Sequence, residues 1–258
     1  MVRNVRIDAV DAVPRPLIAM GHDYPDGFVM AAHRHRRGQL ISGASGALVL
    51  ATPQGRWVMP PQNGLWIPPG VIHEARMIGA VSTRSLYLDP ASADGMPDRC
   101  QVVDLSPFMR SLIAKALDVP VDYDPESHAG ALMALLQHEM RRLPVLPLSL
   151  PFPANAALAD RCRRFLQEPT VHETIERWSG PLGISRRAFT RLFRRETGLS
   201  FVEWRQRACL VAAMPRLVAG DRVTTVALDL GYDNPAAFTT MFKRVLGASP
   251  RAYLTRNG

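Results

Sequence analysis

The sequence predicts a two-domain α+β chain: a β unit of barrel or sandwich type with helices behind it, then an all-α domain. Three observations predict it. Short apolar runs punctuated by Gly/Pro turns fill residues 28–88, helical periodicity takes over after about residue 106, and four prolines fall within residues 144–153. The length, 258 residues, also exceeds the roughly 100–200 of a usual single domain.

Candidate strands are 39–42, 46–51, 55–59, 64–67, 73–78 and 82–88. The turn signals between them include Pro53-Gln54-Gly55, Pro60-Pro61-Gln62-Asn63-Gly64 and Pro68-Pro69-Gly70. Regular short spacing of this kind marks closed or paired sheets. Helices follow at 107–117 and 126–143, the second with Leu132, Leu135, Leu136 and Met140 at helical spacing. The prolines of 144–153 cannot continue a helix, so this segment reads as the linker, and its apolar character suggests that it packs. Beyond it come helices at 154–166, near Thr174, at 185–196, from the Ser200 cap to about Ala219, at 224–230 and at 234–246. The expected division is a β unit at 1–105, a helical segment at 106–143, the linker at 144–153 and a helical domain at 154–258.

Composition narrows the function. Hydrophobic residues make up 47% and charged residues 21%, which suits a packed core rather than disorder. No apolar run approaches the roughly 20 residues that span a bilayer, and the first residues carry no apolar signal core, so a cytoplasmic chain is expected. Cys100, Cys162 and Cys209 form no CxxC pair and read as reduced core thiols. Residues 160–258 hold 17 Lys/Arg against 9 Asp/Glu, whereas 1–159 hold 14 of each. The whole net charge of +8 therefore sits in the helical domain, the footprint of a polyanionic partner such as double-stranded DNA.

Two segments of that domain share one grammar: a short helix, a Gly-containing turn and a capped second helix. In the first, Leu182-Gly183-Ile184-Ser185 leads into a helix with Phe189, Leu192 and Phe193 on one face and Arg187, Thr190, Arg191 and Arg194 on another. Arginine pairs bidentately with guanine O6 and N7, so this front suits the major groove. In the second, Gly231 permits the turn, Asn234 caps, Pro235 takes the first helical position, and Phe238, Met241 and Phe242 form the core face.

These segments resemble the AraC/XylS family of transcription regulators. The resemblance is carried by Ser185-Arg186-Arg187, Arg191-Leu192-Phe193-Arg194, Glu196-Thr197-Gly198-Leu199-Ser200-Phe201, Trp204-Arg205, the run from Val226 to Pro235, Phe238, Phe242 and Gly247-Ala248-Ser249-Pro250. It covers about 174–254 without a gap. It implies two helix-turn-helix units joined by a long helix and entering successive major-groove segments. By position it makes Arg187, Thr190 and Arg191 base readers in the first unit and Ala236, Thr239 and Thr240 in the second. Arg194, Lys243 and Arg244 become phosphate contacts. Departures from the family pattern are Gly180-Pro181, which implies a short first helix, Ala208-Cys209 in the linker helix, and Pro215, which is expected to bend or break that helix near Val211 and Ala212.

The β unit resembles a cupin. His33-Arg34-His35-Arg36-Arg37-Gly38-Gln39 with Gly46 is similar to the first cupin motif, with Gln39 in the acidic place, and Pro68-Pro69-Gly70-Val71-Ile72-His73 to the second. The resemblance implies a barrel and three inward ligands, His33, His35 and His73, for a divalent transition metal. His33 and His35 alternate on a strand and can share a face. Gln39-Leu40 with Leu65-Trp66-Ile67-Pro68 looks like a subgroup of cupin-headed regulators, some of which control neighbouring efflux transporters. That implies an effector pocket built from His33, His35, Gln39, Trp66, His73 and Tyr87, with Trp57 a further candidate.

The expected function is a homodimeric, sequence-specific DNA-binding regulator, not an enzyme. A small molecule in the barrel would act through the 107–143 helices and the linker. The alternatives are a metal-dependent cupin enzyme with a helical interaction module, and a constitutive regulator whose barrel serves only dimerisation.

Overall fold

The computed structural model describes residue 9 and residues 11–257. Their contacts divide the chain into two units, one running to Leu146 and the other formed by Pro147–Arg256 with the short segment Pro53–Arg56.

The N-terminal unit is built from strands β1 (Leu17–Tyr24), β2 (Val29–His33), β3 (Gly38–Gly43), β4 (Ala47–Thr52), β5 (Gly55–Met59), β6 (Asn63–Ile67), β7 (His73–Ile78), β8 (Val81–Leu88), β9 (Gln101–Asp104) and β10 (Val145–Leu146). One sheet runs β1-β8-β3-β6-β9-β10, and β5-β4-β7-β2 are consecutive strands of the other. The six strands anticipated from turn punctuation lie where expected. β1, β2 and β9 were not anticipated. β1 is buried on both faces over its first five residues, so it lacks alternation. β2 is an edge strand with a register shift between Met30 and His33, and β9 has four residues.

Helices α1 (Pro107–Ala116) and α2 (His128–Met140) pack on the first sheet, their caps supplied by Ser106 and Ser127. Met109, Ile113, Met133, Leu136 and Met140 join Leu17, Leu40, Trp66, Leu86 and Leu88 in one core. Arg37 is fully buried. Its guanidinium donates to the carbonyls of Asp11 (3.2 Å), Arg15 (2.9 Å) and Val13 (2.6 Å), and it lies 3.6 Å from the carboxylates of Asp11 and Asp89. One side chain thus fastens the 11–15 segment to β3 and satisfies a charge that would otherwise be stranded.

The proline-rich segment is not a bare linker. β10 pairs with β9, placing Val145 opposite Val103, while β11 (Ser149–Pro151) belongs to the C-terminal unit. There the Trp204 indole N–H donates to the Pro151 carbonyl (2.8 Å) and the Arg163 guanidinium lies over the Phe152 ring. Proline excludes helix but leaves extended chain available.

The C-terminal unit is otherwise helical: α3 (Ala156–Phe165), α4 (Ile175–Ser179), α5 (Arg186–Thr197), α6 (Phe201–Val218), α7 (Val223–Asp229), α8 (Pro235–Leu246) and α9 (Pro250–Asn257). α4 ends in a 3-10 turn at Gly180–Leu182. The short first helix expected from Gly180-Pro181 is therefore present. α6 does not break at Pro215. It runs unbroken to Val218 because Leu210, Val211, Ala213, Met214 and Leu217 are buried, and their packing outweighs one missing backbone bond. α9 was missed, although Ser249-Pro250 carries the cap-and-proline start signal, with the Ala252 N–H donating to Ser249 Oγ. All three cysteines are buried free thiols, and burial pushes Cys100 and Cys209 up to about 12.

Candidate nucleic-acid interface and ligand cavity

α5 is set by its own sequence. Ser185 accepts from the Ala188 N–H at its start, and Gly198 ends it in the left-handed conformation. Phe189 and Phe193 are fully buried, which fixes the rotation of the helix and turns Arg187, Thr190, Arg191 and Arg194 to the surface. Beneath it lies an aromatic cluster centred on Trp178, whose ring is 4.9–6.4 Å from those of Phe165, Phe189, Phe193, Phe201 and Trp204. Not every arginine of the front is available. Arg186 pairs with Glu176 (2.5 Å) and Arg195 with Glu196 (3.3 Å). Arg187 and Arg191 make no hydrogen bond or ion pair with any described residue, so their forks are free for a ligand.

The second unit repeats the construction. Asn234 caps α8 by accepting from the Ala237 N–H (2.9 Å), and Phe238, Met241 and Phe242 are buried. Ala236 and Thr240 are exposed and Thr239 is half-buried. Lys243 and Arg244 are exposed at the helix end, Arg244 donating to Gln206 Oε1 (2.9 Å). Gly231 turns the chain at φ +80°, where a Cβ would lie 2.6 Å from Thr170 Oγ1 and 2.8 Å from the His172 ring. Gly231→Ala is expected to destabilise the C-terminal unit by about 1–3 kcal/mol, read as a fall in its denaturant midpoint at unchanged slope. A midpoint equal to wild type would show that the turn relaxes freely. α6, which joins the two helix-turn-helix segments, has 18 residues and a rise of about 27 Å. That approaches the roughly 34 Å between successive major-groove segments on one side of a duplex.

The N-terminal unit holds a cavity of about 40 Å³ inside the β unit, lined by His22, Tyr24, His33, His35, Gln39, His73, Thr83, Ser85 and Tyr87 among others. His33, His35, Gln39, His73 and Tyr87 therefore meet as expected. Trp66 does not join them. It faces the opposite side of β6, in the core under α1 and α2, with its indole N–H donating to the Pro97 carbonyl (2.9 Å). The period of two explains it, since Ile67, its neighbour, lines the cavity. Trp57 is likewise outside the cavity, donating to the Cys100 carbonyl (3.0 Å). His22 and Tyr24 were missed because β1 was missed.

The three histidines form a compact cluster. Ring centroids of His33 and His73 are 4.3 Å apart and those of His35 and His73 5.2 Å, and one nitrogen from each ring lies within 4.8 Å of the others. The Nδ1 atoms of His33, His35 and His73 contact the carbonyls of Ala31, Arg37 and Val71. Those contacts place the proton on Nδ1 and leave each Nε2 with a lone pair. Burial holds His35 below its ordinary value and pushes His73 down to about 4, so the neutral rings are favoured. Gln39 is oriented by its amide nitrogen, which donates to Ser85 Oγ (2.9 Å) and Tyr87 OH (3.0 Å). Its Oε1 then faces His35 Nε2 at 3.1 Å.

Comparison with known proteins agrees with both halves of this arrangement. Residues 178–256 match a helix-turn-helix domain family and residues 15–161 an AraC-like ligand binding domain family. The chain is similar to the HTH-type transcriptional regulator NimR of Escherichia coli K12, 34% identical over 91% of this chain and 86% of that one. It is also similar to the arabinose operon regulatory protein of Salmonella typhimurium, 27% identical over 48% of this chain and 44% of that one. Among solved structures it is similar to ToxT of Vibrio cholerae with bound unsaturated fatty acid, 11% identical over 92% of this chain and 94% of that one, TM-score 0.38. The ligand-binding match alone takes in more than half of the chain, and the NimR match runs through both units. The chain belongs to the AraC family of helix-turn-helix transcription regulators, and the metal-dependent enzyme considered from its histidines is set aside.

Proposed function

We propose that this regulator reads its operator chiefly through α5, with Arg187, Thr190 and Arg191 at base edges, while α8 contributes shape and phosphate contacts. The observation that carries this is the contrast between the two helices. α5 offers two exposed arginines without partners among the described residues, and α8 offers Ala236, Thr239 and Thr240, which are too short to make bidentate contacts. Arg194, Lys243 and Arg244 hold phosphates, which position the protein without specifying sequence. The protein works in the cytoplasm as a homodimer. Phe108 on α1 and Leu135 on α2 are 55% and 40% exposed, apolar surface that a second copy can cover. A neighbouring efflux-transporter gene is the expected target, and an effector bound by the N-terminal unit shifts DNA affinity through α1, α2 and the 144–153 segment.

The test compares Lys243→Ala with Thr240→Ala in binding to the upstream DNA of the protein's own gene. Lys243→Ala is expected to weaken operator and scrambled DNA alike and to reduce the log–log salt slope by about 1. Thr240→Ala is expected to change affinity by less than threefold. A loss of sequence preference in either variant would move base reading to α8.

A second reading, that the cavity holds a divalent transition metal, is favoured by the convergence of His33, His35 and His73, one nitrogen of each lying within 4.8 Å of the others. The donors are His33, His35 and His73 through Nε2, with Gln39 Oε1. At about 40 Å³ the cavity suits an ion or a few waters rather than an organic molecule. The metal would supply a fixed positive charge among neutral ligands. Untagged protein is expected to carry about one equivalent of Zn, Ni, Fe or Cu by elemental analysis, and a chelator to lower its Tm. His35→Ala should abolish both effects. Metal-free protein whose Tm is indifferent to all four ions would end this reading.

A further inference from the structure

The outer face of the sheet β1-β8-β3-β6-β9-β10 changes character along its length. Thr83, Ser85 and Tyr87 of β8 line the inner cavity, so Arg84, Leu86 and Leu88 occupy the other face. Leu86 and Leu88 are buried beneath α1 with Met109 and Ile113. The apolar row stops at Arg84. β3 does the same: Leu40 lies in that core, and two residues on, Ser42 sits opposite Arg84 in register and donates to its carbonyl (3.0 Å). Here a cavity of about 270 Å³ opens between the sheet and α1, its walls including Ser42, Gln62, Arg84, Leu105, Arg110 and Ile113.

Among the described residues, two guanidiniums and no carboxylate line this hollow. The Arg110 Nη1 donates to the Leu105 carbonyl (2.7 Å), which anchors the side chain and leaves its other N–H groups. The Arg84 guanidinium has no hydrogen bond or ion pair with any described residue. Both arginines are only half exposed. Half-covered cations with no counter-ion among the described residues attract an anion, and Leu105 and Ile113 give the same hollow an apolar wall. Its volume is several times that of the inner cavity and approaches the roughly 300 Å³ at which small-molecule pockets begin.

We propose that this hollow is a binding site for a small organic acid, its carboxylate held by Arg84 and Arg110 and its apolar body against Leu105 and Ile113. The site is distinct from the histidine cavity, which opens on the other face of β8. Because Arg84 belongs to the sheet and Arg110 to α1, a bound acid ties the helix to the sheet. That consequence for DNA affinity rests on the effector-controlled reading above, whereas the binding itself does not.

The experiment titrates the full chain calorimetrically with isovalerate, with its neutral amide isovaleramide, and with inorganic phosphate. Isovalerate is expected to bind saturably, one per chain, in the millimolar range or tighter. The amide and phosphate should each bind at least tenfold more weakly, since one lacks the charge and the other the apolar body. Arg84→Gln and Arg110→Gln should each weaken isovalerate at least tenfold, Arg110→Lys less, with the unliganded Tm within a few degrees of wild type. Equal binding of acid and amide, binding unchanged in both glutamine variants, or no binding at tens of millimolar would overturn the proposal. Phosphate binding as tightly as isovalerate would overturn its organic part. Isovalerate bound with unaltered DNA affinity would remove the regulatory consequence and leave the site.

Discussion

Alanine at both Arg187 and Arg191 is expected to leave a protein that still binds DNA but has lost its preference for the operator. Each arginine is exposed on α5 and free of described partners, and each bidentate arginine–guanine contact contributes about 1–3 kcal/mol of base discrimination. One loss is therefore a factor of roughly 5–150 in the ratio of operator to scrambled affinity, and two acting independently multiply. Arg194, Lys243 and Arg244 remain and keep the non-specific term. Arg186→Ala is the internal control. That side chain is already engaged by Glu176, so its loss is expected to alter stability slightly and discrimination little. Competition binding at one fixed salt concentration reads both variants against wild type. Equal discrimination in the double variant and wild type would place base reading elsewhere.

Trp178→Ala is expected to unfold the C-terminal unit. Trp178 is almost completely buried and contacts rings from α3, α5 and α6. Its indole N–H also donates to Glu173 (2.8 Å), and the Arg161 guanidinium lies over its ring. Truncating a buried Trp costs about 3–5 kcal/mol, a large part of the roughly 5–15 kcal/mol that holds a domain together. DNA binding should vanish with most of the helical circular dichroism of residues 154–257. A conservative Trp178→Phe keeps much of the volume and should retain binding with a lowered Tm. A folded, DNA-binding Trp178→Ala protein would mean that the cluster is not what orients α5.

Much of the fold is legible because local signals and tertiary packing agree. The helical units are marked by caps at Ser185, Ser200 and Asn234, by glycines at Gly198, Gly231 and Gly247, and by apolar faces that proved to be buried. The inner cavity was legible where alternation and motif coincide, at His33, His35, Gln39 and His73. What the sequence hid has physical reasons. β1 is covered on both sides, so Leu17–Met20 read as an unassigned apolar stretch and His22 and Tyr24 went unnoticed. Trp66 was drawn into the pocket by its size and position, but strand parity sends it to the helix-covered face. Pro215 was given too much weight, because propensity counts one lost backbone bond and not the buried side chains around it. Arg37 and the Arg84–Arg110 pair carry no sequence signal at all. Nothing in the chain around them distinguishes a buried or half-buried arginine from a solvated one.

The most direct test of the central claim, that the C-terminal unit is a sequence-specific DNA reader, is a salt series. The affinity of the purified full chain would be measured for duplex DNA from upstream of its own gene and for a scrambled duplex of equal length and composition. The account predicts tighter binding to the upstream duplex by a factor of about 10³ or more, with both affinities falling steeply as salt rises. Weak binding that is indifferent to sequence at every salt concentration would contradict it.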